Sequence, residues 1–133
     1  MLQRNREFVA VDARSGAKTF SMTLKMAQAA YEKGIPCFLA DLTCTPTIVD
    51  WNKNVAARLA PLPGLKNMGL LESNGHQNYQ NWEGLIGYHP FPDGSWLYPQ
   101  DGIYNLDSSF YENAGGALKS SEHYMRLFGR SVI

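Results

Sequence analysis

Three carboxylates close three short apolar runs in this chain. Asp12 follows Phe8-Val9-Ala10-Val11, Asp41 follows the run from Ile35 to Ala40, and Glu72 follows Gly69-Leu70-Leu71. They stand 29 and then 31 positions apart, the length of one strand-plus-helix unit. Carboxylates gathered at one edge can pass protons to and from a bound ligand, so Asp12, Asp41 and Glu72 are the candidate catalytic residues. Lys18 follows the first strand exit at loop distance, where its ammonium would meet an acidic substrate.

A second chemistry is written in Asn78-Tyr79-Gln80-Asn81-Trp82. Amides donate and accept at once and aromatic faces stack on sugar C–H groups, so Tyr79 and Trp82 are candidate substrate-binding residues and the alternative function is a carbohydrate-binding module. The same rings can instead pack over the open end of a barrel. His76, His89 and His123 are too far apart for a short metal-ligand motif, and no metal ligand is assigned. Cys44 precedes a helix start, but no histidine accompanies it, and Cys37 with Cys44 lacks the CxxC spacing, so both read as reduced structural thiols.

The elements that position these residues follow from local patterns. The Ile35 to Ala40 run is too short for a helix and reads as a buried parallel strand entered through Gly34-Ile35-Pro36. Thr45-Pro46 predicts a helix capped by the threonine hydroxyl with proline at its first position, its apolar face being Ile48, Val49, Val55, Ala56 and Leu59. An earlier helix, capped by Thr19 or Ser21, should bury Met22, Met26, Ala29 and Ala30. Strands are expected at Phe8-Val9-Ala10-Val11 and at Asn67-Met68-Gly69-Leu70-Leu71. Right-handed crossovers would bring all three carboxylates to one edge of a three-stranded parallel sheet. Residues 1–73 thus form the βα units of one domain. Residues 74–133 form an irregular segment, with a hairpin joining Trp96-Leu97-Tyr98 to Ile103-Tyr104-Asn105-Leu106 and a last helix from Leu118 to Phe128.

The chain has 133 residues, room for one domain, and its 12 Lys+Arg balance 12 Asp+Glu. No net field draws it to nucleic acid or an anionic membrane. The first seven residues lack an apolar signal core, and no run approaches the roughly 20 apolar residues of a membrane span. The expectation is a soluble cytoplasmic protein.

Val11-Asp12-Ala13, Gly34-Ile35-Pro36 with a strand leading to Asp41, and Gly69-Leu70-Leu71-Glu72 resemble the last three βα units of the enolase superfamily, in its mandelate racemase and muconate-lactonizing branch. The Gly-rich turn Asp101-Gly102-Ile103-Tyr104 fits the same pattern. The resemblance implies an α/β fold, the C-terminal portion of a (β/α) TIM-type barrel. It implies a lyase or isomerase, an acid-sugar dehydratase or racemase-like enzyme that removes a proton next to a carboxylate of a small hydroxy acid. Asp12 and Glu72 match acidic positions of the family's sixth and eighth strands. Asp41 is a departure, because racemase-type members carry a histidine near the end of the seventh strand. The family uses Mg²⁺ to offset the charge of its enediolate intermediate, with ligands on earlier strands, so this chain alone is expected to hold no metal and to be inactive alone. A partial barrel also exposes sheet edges, which implies a homo-oligomer or association with a missing N-terminal part, and an interaction module without catalysis is the remaining class.

Overall fold

The computed structural model describes residues 20–41, 43–66, 68–113, 115 and 126, together with the backbone of residues 9–12. The fold is mixed α/β. A three-stranded parallel sheet in the order β1-β2-β3 is built from β1 (Val9–Asp12), β2 (Cys37–Ala40) and β3 (Leu71–Glu72). Helix α1 (Phe20–Glu32) joins the first two strands and α2 (Pro46–Ala56) joins the second to the third.

Gly34 ends the first crossover. At φ +65° it adopts the left-handed conformation that closes helices, while the amides of Gly34 and Ile35 bond back to the carbonyls of Tyr31 and Ala30 at 2.9 Å. The buried line of α1 is Thr23 and Ala30, with Met26 and Ala27 half-buried. This is the i, i+3, i+4, i+7 spacing of one helix face. Met22 and Ala29, expected on that face, point to solvent, since they lie to either side of the line through 23, 26, 27 and 30. Ser21 lies inside the first helical turn rather than capping it; Thr19 falls outside the described residues.

Pro46 opens α2 as expected, but the Thr45 hydroxyl makes no capping bond; that residue caps through its carbonyl, which accepts from Val49 N–H at 2.9 Å. The helix unwinds through Ala57, Arg58 and Leu59 ahead of Pro61. β3 is shorter than the run from Asn67 suggests. Gly69 lies so close to α2 that a Cβ there would sit 1.9 Å from the Ala56 carbonyl oxygen, so the chain meets the helix before it pairs with β2. Pairing begins only where Leu39 N–H reaches Leu70 C=O at 3.1 Å.

Both helices cover the same face of the sheet. Cys37 packs on Ala30 of α1, and Leu39 packs on Val55 and Ala56 of α2; these two β2 residues alternate with half-buried Phe38 and Ala40 on the opposite face. Parallel sheets normally bury both faces. Here the Phe38 and Ala40 face carries no helix among the described residues.

The C-terminal segment is more ordered than its amide-rich sequence suggests. It holds α3 (Gly75–Asn78), α4 (Trp82–Gly87) and α5 (Ser108–Glu112), packed around a second core of Ile86, Trp96, Leu97 and Phe110, with Trp82, Phe91 and Leu106 against it. The expected hairpin is reduced to one antiparallel bridge, Gln100 to Ile103, across Asp101 and Gly102 at φ 50° and 77°. Positive φ at both central residues is the two-residue hairpin turn, but Trp96 and Leu97 enter the core instead of pairing as a strand. The predicted helix from Leu118 to Phe128 lies outside the described residues apart from Arg126.

Candidate functional site

The sheet register aligns two of the predicted carboxylate positions. Asp12 pairs with Ala40, and Ala40 pairs with Glu72, so the three form one row across the ends of the parallel strands. Neighbouring strands are about 4.8 Å apart, which puts the ends of the row roughly 10 Å apart at the backbone. Ala40 is the position between them in that row. Glu72 is exposed.

Asp41 is one residue further on and is buried, at 1% exposure. One of its oxygens accepts Cys44 N–H at 2.9 Å and the other accepts the Ser73 hydroxyl at 3.3 Å. It therefore ties the loop leaving β2 to the loop leaving β3. Thr43 in the same loop is left-handed at φ 57°, a conformation unfavourable for a β-branched residue. It is held from three sides. Asn74 Oδ1 accepts Thr43 N–H at 2.7 Å, Asn78 donates to Thr43 Oγ1 at 3.0 Å, and the Tyr79 hydroxyl donates to the Thr43 carbonyl at 2.9 Å.

The residues proposed for sugar stacking are thus engaged with the protein. Tyr79 lies over Trp82 with ring centroids 6.4 Å apart, and Trp82 also meets His76 edge-on at 6.3 Å. Trp82 packs on Gly75, where a Cβ would come within 2.9 Å of the indole. Asn81 accepts Gly84 N–H at the start of α4. Lys18 falls outside the described residues.

Behind the sheet lies a charged cluster that sequence patterns did not reveal. Asp50 and Lys53, one turn apart on α2, are almost fully buried, and Lys53 Nζ donates to Asp50 Oδ1 at 2.7 Å. Trp96 Nε1–H donates to Asp50 Oδ2 at 2.9 Å, while Lys53 returns a bond to the Trp96 carbonyl at 2.7 Å. His89 Nδ1 accepts Phe91 N–H at 3.0 Å, which leaves the hydrogen of a neutral ring on Nε2. That nitrogen lies 3.0 Å from Asp50 Oδ2, yet it forms no directed hydrogen bond; the contact is one of proximity to the carboxylate rather than alignment with a lone pair.

Lys53 Nζ also lies 4.0 Å from the centre of the Tyr104 ring, a cation–π contact. Burial pulls the Lys53 pKa below its usual value, and the Asp50 carboxylate partly restores it. Tyr104 is pushed up chiefly by burial, with its interaction with Ser73 opposing the rise and the charges of Asp50 and Asp41 adding to it. The signal for this cluster was present in the sequence, as an acid and a lysine three apart in a helix whose neighbours Val49, Val55 and Ala56 are all core residues.

Among the described residues no three His, Cys, Asp or Glu side chains gather as metal ligands, and no helix is long and apolar enough to cross a membrane. A cavity of ≈ 390 Å³ opens between the end of α2, Leu65 with residues 68–71, and Gly102 to Tyr104 with Leu106 and Tyr111; Lys53 also lines it. Comparison of the chain with protein-family models, curated proteins and solved structures finds no match.

Proposed function

We propose that this chain supplies the last βα units of a (β/α) barrel of the enolase-superfamily type, and that Asp12 and Glu72 belong to a site for a small hydroxy acid such as an acid sugar. The reaction class is proton abstraction next to a carboxylate, in the manner of a dehydratase or racemase. The observation that carries this reading is the sheet itself: strands in sequential order, both crossover helices on one face, and acidic positions 12 and 72 flanking Ala40 in one row at the strand exits. A barrel is the architecture in which the other face is filled by the remaining strands, and its chemistry lies at those exits. Glu72, exposed at the edge, is the group placed to exchange a proton. Asp41 is a positioning residue, which orders the two exit loops through Cys44 and Ser73.

In this reading the magnesium that such enzymes use would be held by carboxylates on the earlier strands of the barrel. The test is to express the chain together with the βα units that this reading places before it and assay a panel of acid sugars. Turnover that falls at least about 100-fold in Glu72→Gln, the low end of a general acid–base contribution, is the expected result. Equal rates for Glu72→Gln and the parent, or robust turnover by the 133-residue chain on its own, would overturn the proposal.

A further inference from the structure

Large apolar side chains stand exposed around one groove. Nine are exposed among the described residues, and four of them, Met68 (40%), Leu70 (39%), Ile103 (54%) and Tyr111 (47%), line the same ≈ 390 Å³ cavity. Single exposed apolar residues are ordinary, whereas contiguous ones mark an interaction surface. The floor of this groove includes Leu71 of β3.

The walls carry opposite charge. On the α2 side, Arg58 is exposed, with its guanidinium carbon 5.7 Å from the centre of the Tyr111 ring, and Lys66 is exposed next to the lining residue Leu65. On the other side, Asp101 precedes the lining Gly102 and Glu112 follows the lining Tyr111, both exposed. The sequence between Lys66 and Lys119 contains no lysine or arginine, so the segment that forms this wall brings acids and no basic residue of its own. A partner of one sign would be attracted to one wall and repelled by the other. A two-fold copy of the same surface meets basic wall with acidic wall at both ends, the self-complementarity that an isologous interface requires.

We infer that this groove is the interface of a homodimer, in which two copies bury Met68, Leu70, Ile103 and Tyr111 against each other and set Arg58 and Lys66 of one against Asp101 and Glu112 of the other. The inference goes beyond the proposed reaction and is independent of it.

Light scattering on the full chain at micromolar concentration should give twice the monomer mass of 14.9 kDa. Ile103→Glu at the groove should raise the dissociation constant roughly thirtyfold or more, as loss of a central apolar anchor does, while Leu24→Glu on the exposed side of α1 leaves it unchanged. The decisive arm uses two charge variants, one with Arg58→Glu and Lys66→Glu, the other with Asp101→Lys and Glu112→Lys. Each alone should be monomeric, with like-charged walls facing, and mixing them should yield a heterodimer. Circular dichroism first establishes that both are folded. A 14.9 kDa species at every concentration, an association weakened by Leu24→Glu but not by Ile103→Glu, or folded charge variants that stay monomeric when mixed would each overturn the dimer.

Discussion

Asp50 is the buried carboxylate at the centre of the charged cluster. A carboxylate taken out of water loses several kcal/mol of solvation, and it is tolerated when charged and polar donors surround it; here Lys53 and Trp96 donate to it and His89 Nε2 lies 3.0 Å away. Asp50→Ala removes the acceptor and leaves a buried ammonium and an indole N–H without it. The expected cost is about 3–5 kcal/mol, read from urea denaturation, and a loss below about 1 kcal/mol would show that water replaces the carboxylate easily. The double variant Asp50→Leu with Lys53→Met should be less destabilised than Asp50→Ala, because it leaves no buried charge. Asp107 gives a prediction in pH. Its carboxylate caps α5 by accepting Phe110 N–H at 3.0 Å and accepts the Ser95 hydroxyl at 2.8 Å, and these bonds hold its pKa below 3.8, that of Phe110 N–H most. The carboxylate binds protons less readily when folded, so its stabilisation is complete above pH 3.8 and is lost as pH falls through the lower folded value. The stability difference between the parent and Asp107→Ala should therefore shrink in that acid window; a difference constant down to pH 2 would contradict it.

At the scale of elements, two contacts decide how β3 approaches its neighbours. Gly69 touches the last turn of α2 through backbone, which cannot swing aside as a side chain does, so Gly69→Ala should destabilise by about 2–3 kcal/mol through overpacking. Asn74→Ala should cost about 1–2 kcal/mol, because it frees Thr43 N–H and releases a left-handed threonine. In hydrogen exchange it should speed the amides of residues 43 and 44 more than those of α1. The order of βα units was legible in the sequence because short apolar runs bounded by Gly, Pro and acids leave few alternatives. Pro46 marked the start of α2 to the residue. What could not be read was set by contacts distant in sequence. The face of α1 rotated because Thr23, rather than Met22, is buried. The strand at Trp96-Leu97 was lost because both residues serve a core completed by Phe110. The amides of Asn78 and Asn81 look available for a ligand until Thr43 and Gly84 are seen to take them.

Across the whole molecule, α2 is the shared wall, with Val55 and Ala56 toward the sheet and Asp50 and Lys53 toward the C-terminal core. The two cores should therefore melt together: Trp96 fluorescence and far-ultraviolet circular dichroism should follow one urea transition, and separated midpoints would show that the Asp50 cluster does not couple them. The same cluster bears on how the chain is made. Trp96 lies 46 residues after Asp50, so at about 5–20 residues per second a ribosome delivers the indole roughly 2–9 s after the carboxylate it must meet. Once β3 has followed, the nascent βα units can form their sheet, but α2 still has no partner for its acid and lysine except water and each other. The helix must then stay partly solvated until the C-terminal segment arrives, a waiting period in which a holding chaperone would find its binding site.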